Sequence, residues 1–199
     1  KTASGVTYDK LTFGGKTYTV EGLSSSRTET DADPAGDETA IGGTAVVKDS
    51  AGNDVTSQFS VDTTDTGLLK INPRPVTVKA ASDEKEYDGT VLTNAGWSGE
   101  AATETTGLVG TDTIGSVKVT GSQLYPGSSS NVPSEASFTS GKATNYQISY
   151  VNGTLKVKDR GTKYVITANA PDREYTYDGT AKTASGVTYD KLTFGGKTY

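Results

Sequence analysis

The carboxylates of one short polar stretch are the first residues with an evident chemistry. Four of them lie close together in sequence: Asp31, Asp33, Asp37 and Glu38. Hard oxygen ligands at this density are those that Ca²⁺ binds in proteins. The stretch lacks the twelve-residue EF-hand spacing and contains Pro34, so a solvated acidic loop is the alternative interpretation. Calcium is the one cofactor that the sequence suggests.

A second pair of carboxylates, Asp62 and Asp65, lies in a threonine-rich segment. Two carboxylates flanking a cleft are the machinery of glycosidases. The sequence places no cleft around them, and short Asp side chains in turns commonly bond the backbone amides that follow. We therefore expect a solvated turn here.

The composition removes several classes of site. The chain has no Cys and no His, which excludes disulfides, thiolate or imidazole metal ligands and a Ser-His-Asp triad. A net charge of −5 offers no basic face for nucleic acid, and no apolar run reaches the ~20 residues of a membrane span. We expect a segment that is not an enzyme, binds no nucleic acid and does not insert into a membrane.

A four-residue motif occurs twice, as Tyr87-Asp88-Gly89-Thr90 and as Tyr177-Asp178-Gly179-Thr180. Glycine permits positive φ, aspartate can bond nearby backbone amides, and tyrosine can pack on a sheet while its hydroxyl finds a partner. The motif predicts a structural corner; a binding motif is the alternative.

Longer repeats organise the whole chain. Residues 1–18 recur without mismatch as residues 182–199, which gives a period of 181 residues, and the two four-residue motifs begin 90 residues apart. A half-period of that size predicts two related but diverged modules in a tandem array. By comparison with the second copy, the first module lacks its own first strand. The predicted divisions are residues 1–71 (the module lacking that strand), 72–158 (the second module) and 159–199 (the first strands of the next copy).

Alternating apolar residues and frequent turn signals predict strands throughout. The predicted strands are residues 11–13, 16–20, 44–48, 55–61, 68–71, 76–80, 113–120, 136–139, 145–151, 154–157 and 164–168; residues 31–38 and 126–133 are predicted loops. No segment keeps a helical pattern over three turns. Short strands separated by turns about every ten residues predict an all-β sandwich fold.

These motifs resemble the YDG/MBG-type repeats of large bacterial surface adhesins. The matching residues run from Pro73 through Val78 to the first Tyr-Asp-Gly-Thr motif, and from Asn145-Tyr146 to the strand ending at Val157. The resemblance implies tandem immunoglobulin-like β-sandwich modules in a head-to-tail array. It also implies an extracellular place, at the cell surface or attached to the cell wall, and a role as a stalk or fibre.

In surface stalks of this kind, lysine–asparagine isopeptide crosslinks join strands, so the resemblance suggests one between Lys79 and Asn145, with Asn152 as a second acceptor. The reaction needs a neutral, desolvated lysine amine. The matching strand of the first module has Asn169 where the second has Lys79. A solvent-facing Lys79 is the alternative.

Three functions remain open at this stage. The first is a spacer whose partners are neighbouring repeats of the same chain, with no need for catalytic residues. The second is a module that binds carbohydrate or a host protein, which an exposed patch of Trp97 and tyrosines would favour. The third is a filament in which the strand near residues 164–177 of one copy completes residues 2–71 of another.

Overall fold

The structure is a computed structural model that describes residues 1–7 and 11–199; Tyr8, Asp9 and Lys10 lie outside the description. The chain forms two compact units. The first unit comprises Lys1–Val76, Ala102–Asp112 and Ser140–Gln147, and the second comprises Thr77–Ala101, Thr113–Thr139 and Ile148–Tyr199. The three sequence modules, whose divisions follow the repeat and not these units, stay a prediction.

The predicted all-β character is confirmed. Strands and bridges make up 48 % of the described residues against 3 % helix, and the helical residues described are two single 3-10 turns, Thr56–Gln58 and Ala143–Asn145. This follows from the abundance of β-branched and turn-forming residues. Among the residues described, no helix has the length and apolarity needed to cross a membrane.

The strands of the first unit are short and pair two by two. They are β1 (Thr2–Ser4), β2 (Thr12–Phe13), β3 (Lys16–Thr17), β4 (Thr19–Ser24), β5 (Ser26–Thr28), β6 (Asp33–Thr39), β7 (Gly42–Lys48) and β8 (Gly67–Ile71). The antiparallel pairs are β1–β5, β2–β3, β4–β7 and β6–β8. The predicted hairpin at the glycine pair is confirmed as β2–β3, in which Phe13 faces Lys16.

Two predictions for the first unit are wrong. The acidic stretch is not a loop, because most of it forms β6 and pairs with β8. The predicted strand at residues 55–61 is a 3-10 turn followed by residues that belong to no strand. Its physical cause is local: Asp54 accepts hydrogen bonds from the amide (2.9 Å) and hydroxyl (2.6 Å) of Thr56, which compete with pairing to a neighbouring strand.

The second unit contains larger sheets. The strands that lie mainly or wholly in it are β9 (Arg74–Ala80), β10 (Asp83–Glu86), β11 (Trp97–Gly99), β12 (Thr113–Thr120), β13 (Gly127–Ser140), β14 (Tyr146–Val151), β15 (Gly153–Lys158), β16 (Ala168–Asn169), β17 (Thr188–Tyr189), β18 (Thr193–Phe194) and β19 (Lys197–Thr198). One sheet has the order β10-β15-β13-β12 and another the order β11-β9-β14. The small pairs β16–β17 and β18–β19 follow.

Most strand predictions here are confirmed, but the loop predicted at residues 126–133 is wrong. Residues from Gly127 onward belong to the long strand β13, which pairs with β15 from Gly127 to Asn131. Serine and proline signalled a loop, but the backbone of this segment is satisfied by the β15 ladder. The predicted strand at residues 164–168 is largely absent, since only Ala168 and Asn169 pair.

Alternation along β9 and β15 builds the core of the second unit. Leu155 and Val157 of β15 and Val78 and Ala80 of β9 are buried, and the residues between them on each strand face outward. Tyr87 packs against the cluster of Leu92, Leu155 and Val157. At the start of β15, a Cβ on Gly153 would lie 2.2 Å from the carbonyl oxygen of Ala81, so only glycine fits there.

Candidate functional site

The two Tyr-Asp-Gly-Thr motifs have the same local geometry. Asp88 Oδ1 accepts hydrogen bonds from the Thr90 amide at 2.9 Å and from the Thr90 hydroxyl at 2.7 Å. Asp178 makes the same two bonds with Thr180 at 3.0 and 2.7 Å. Gly89 and Gly179 both have φ of 78°, a value that side chains disfavour. Each motif is therefore a turn built from its own residues.

A lysine adds charge to each of these turns. Lys85 Nζ donates to Asp88 Oδ1 at 2.8 Å, and Lys182 Nζ donates to Asp178 Oδ2. These ammonium groups, with the threonine donors, hold the pKa of both carboxyls below the ordinary value. Both aspartates consequently stay ionised through the neutral range, as acceptors within the turn.

The proposed calcium ligands do not converge in the structure. Asp31 Oδ1 accepts from Asn145 Nδ2 at 2.9 Å, and Asp31 Oδ2 accepts from Lys142 Nζ, which lowers the pKa of Asp31. Asp33 and Glu38 lie in β6, and Asp37 of that strand pairs with Arg27 at 2.6 Å. Over residues 1–7 and 11–199, no group of three or more acidic residues is placed to hold a metal ion.

The environments of Lys79 and Asn145, the two residues suggested for an isopeptide crosslink, differ from those that the reaction requires. Lys79 is exposed on β9, so its amine is not desolvated as the reaction requires. Asn145 is half-buried in the first unit, where its Oδ1 accepts from the amide of Ala32 at 2.7 Å while its Nδ2 donates to Asp31. The side-chain amide of Asn145 thus bonds Asp31 and Ala32, the two residues that directly precede β6.

Asp62 and Asp65, expected to lie in a solvated turn, line a cavity of about 570 Å³ in the first unit. Asp62 also makes the expected turn, since its Oδ1 accepts from the Thr64 amide at 2.9 Å and the Thr64 hydroxyl at 2.7 Å. These bonds lower the pKa of Asp62. Asp62 is therefore suited to be a fixed acceptor, and less suited to donate a proton.

Much of the cavity wall is formed by residues that lie outside the strands. Val6 and Thr7 lie on it, and so do Asp62, Asp65 and Thr66; none of these residues belongs to a strand. Thr39 at the end of β6 also lines the cavity; its hydroxyl is buried and has no hydrogen-bond partner among the described residues. The cavity therefore offers backbone and a hydroxyl that a further segment of chain could bond. We take it as the candidate functional site.

A cluster of aromatic rings in the second unit was missed by the sequence analysis. The Phe194 ring lies 4.1 Å from that of Tyr164 and 4.6 Å from that of Tyr199, measured between centroids. Arg160 sits 4.2 Å above the Tyr164 ring, a cation–π geometry. The rings line a cavity of about 690 Å³ together with Tyr87. Hydrogen bonding to Tyr199, followed by desolvation, raises the pKa of Tyr87 to about 12.

Trp97 is half-buried in β11, at an edge of its sheet, where it pairs with Ala80 of β9. It does not join the aromatic cluster that lines the larger cavity. Its position fits the edge-packing interpretation better than an exposed sugar-stacking surface.

Comparisons of the chain with protein-family models, with curated proteins and with solved structures found no match. The resemblance to YDG/MBG-type repeats accordingly stays a prediction from the motifs themselves.

Proposed function

We propose that this chain is a structural repeat of a bacterial cell-surface adhesin, in which immunoglobulin-like β-sandwich modules follow head to tail. Its role is to hold a distal binding region away from the cell, outside the cell or attached to the wall. The proposal rests on the recurrence of residues 1–18 as residues 182–199, a period of 181 residues, because an array of such periods adds length without adding a new site.

Matching local structure in the two modules supports the array. The turn Thr56–Gln58 ends where the Phe59 amide bonds the Thr56 carbonyl, and the turn Ala143–Asn145 ends where Tyr146 bonds Ala143. The final strand of each module comes after this turn: it is β8 in one case and, beyond β14, β15 in the other. Each final strand pairs antiparallel with an earlier strand, β6 or β13. Two diverged copies of one fold explain this order.

The test is to measure length against repeat number. Chains of one, two and three periods are prepared, and small-angle scattering gives the maximum dimension of each. A strand of ~10 residues gives about 30–40 Å per sandwich, so each period should add about 60–80 Å. A dimension that grows only as a compact particle would contradict the spacer role. Antibody labelling of intact source cells tests the surface location.

A second candidate function is recognition of a carbohydrate or a host protein by the aromatic cavity of the second unit. Stacked rings with a guanidinium beside them are suited to sugar faces and planar groups. A glycan screen with the whole chain tests this candidate. Binding that Tyr164→Ala removes and Tyr150→Ala retains would favour it.

A further inference from the structure

The cavity of the first unit lies between two segments whose counterparts in the second unit are strands. Val6 is a copy of Val187 by the 181-residue repeat, and Val187 follows its Tyr-Asp-Gly-Thr motif by the same interval as Trp97, the first residue of β11. On the other side, Phe59 follows its 3-10 turn as Tyr146 of β14 does. The cavity is therefore bounded by the equivalents of β11 and β14.

A strand lies between β11 and β14 in the second unit. The order β11-β9-β14 makes β9 the central strand, with Val78 and Ala80 buried. In the first unit the described residues supply no strand at this position, and the described residues equivalent to β11 and β14 are not in strands either. The cavity of about 570 Å³ thus stands where the central strand of this fold belongs.

The sheet that contains the final strand also differs between the two units, in the number of strands beside that final strand. In the second unit, β15 has two neighbours, β10 in parallel and β13 antiparallel. In the first unit, the equivalent strand β8 pairs with β6 alone among the described strands. The unpaired edge of β8 is a template for another strand.

The chain carries a matching segment at residues 164–176. Aligned on the Tyr-Asp-Gly-Thr motifs, residues 164–170 match β9 and residues 173–176 match β10. Ile166 and Ala168 then fall at the positions of the buried Val76 and Val78. In the present structure Ile166, at one of these inward positions, is 54 % exposed, so it is not packed into a core of its own.

The register of that segment is already that of β9. In the second unit Val78 faces Gly99 and Lys79 faces Ser98. Ninety residues on, Ala168 faces Tyr189 and Asn169 faces Thr188. Thr188 is the repeat copy of Thr7, which lines the cavity. The same pairing with the first unit of another chain would bring Asn169 opposite Thr7.

We propose that the cavity of the first unit is a strand-acceptor site, which takes residues 164–170 of another copy of the 181-residue repeat as its central strand. Residues 173–176 of the same copy extend the free edge of β8, in parallel. This inference rests on the two-module fold of the proposed function and not on its surface location. Donor and acceptor lie on every copy, so one repeat completes the next within a tandem array, and separate molecules of the present sequence complete one another in an open-ended chain.

The parallel pairing also matches charge. In the second unit Glu84 of β10 faces Lys156 of β15. The same register brings Glu174 of the donor opposite Lys70, which is exposed on β8. Opposite charges on facing strands stabilise the pair modestly, and they select this register over its neighbours.

The first experiment compares two aspartate substitutions in the donor. Ile166→Asp places a carboxylate at an inward position, and Val165→Asp places one at the neighbouring outward position. Light scattering after size exclusion, over a range of concentrations, should show oligomers for the native chain and for V165D, and monomers for I166D. Circular dichroism checks that both variants keep their strands. A native chain that stays monomeric, or an equal response of the two variants, would overturn the proposal.

The second experiment traps the predicted register. The chain has no cysteine, so Thr7→Cys with Asn169→Cys introduces its only two thiols. Facing residues of antiparallel strands lie within disulfide reach. Oxidation should give a ladder of covalent oligomers, and the control pair Thr2→Cys with Asn169→Cys should give far less. A disulfide confined to single chains would show that the occupant is not a second copy. Length per period is measured separately, so failure here leaves the spacer test intact.

Discussion

At the scale of single residues, this protein uses polar side chains to fix its backbone. Asp88 and Asp178 close their turns with local bonds. Asn131 fixes backbone that is distant in sequence. It is fully buried in the second unit, and its Nδ2 donates to the carbonyls of Ala81 (2.9 Å) and Asn94 (2.8 Å). Such bonds matter because a buried carbonyl left without a donor loses its hydration uncompensated.

Asp88→Asn should lower the thermal stability of the second unit at neutral pH, because the ionised carboxylate is the form that Lys85 and Thr90 stabilise. The folded pKa lies below the ordinary value of 3.8, so this contribution is present above pH 3.8 and is lost as pH falls through the folded pKa. Melting curves from neutral to acid pH should therefore converge for the variant and the native chain. The control is Asp159→Asn; a gap that is independent of pH would contradict the assignment.

Asn131→Ala should cost about 1–3 kcal/mol of unfolding free energy, since two backbone carbonyls lose their donor inside the unit. Asn152→Ala, at an exposed turn position, is the matched control and should change stability by less than about 0.5 kcal/mol. Denaturant titration measures both. Equal effects would mean that the Asn131 bonds add little.

At the scale of elements, equivalent strands differ in how many neighbours they have. The final strand β15 lies between two strands, and β8 has a neighbour on one side. Both strands nevertheless bury their inward leucine, Leu155 of β15 and Leu69 of β8, while Leu68 on the outward side of β8 is 53 % exposed. Alternation along the strand therefore decides which leucine reaches the core, even where one neighbouring strand is absent among the described residues.

Leu155→Ala should destabilise the second unit by about 2–5 kcal/mol, through lost burial and the cavity that is left. Leu68→Ala, the same substitution on the edge strand, should change stability by less than about 0.5 kcal/mol in the monomer. Denaturant unfolding at low concentration measures both. A large loss for Leu68→Ala under these conditions would show that the outward face of β8 is covered within one chain.

At the scale of the whole molecule, the repeat allows the acceptor site to be filled from the same chain. Residues 164–181 directly precede the second copy of the opening sequence. Adding a copy of residues 164–181 in front of Lys1 should therefore give a chain that stays monomeric and melts at a higher temperature, because a bound strand stabilises the folded state. The control carries aspartate in place of the added isoleucine. An unchanged melting temperature would contradict the acceptor site.

Sequence alone determined the local features of this protein. Alternating residues predicted β9, β12 and β15, and the glycine pair predicted the hairpin of residues 12–17. The Tyr-Asp-Gly-Thr bonds also lie within four residues. These features depend on neighbours along the chain, so a sequence pattern carries them. The strand within the acidic stretch and the cavity beside Asp62 depend on distant partners, and the sequence did not predict them.

Residues 1–18 and 182–199 have the same sequence, so comparing them separates the effect of local sequence from that of tertiary packing. Phe13 faces Lys16 and Phe194 faces Lys197, so the same sequence makes the same hairpin twice. Phe13 is nevertheless 70 % exposed, while Phe194 is half-buried among Tyr87, Tyr164 and Tyr199. Local hydrogen bonds set the hairpin. Burial is set by which residues the rest of the fold brings against it, and that only the tertiary structure decided.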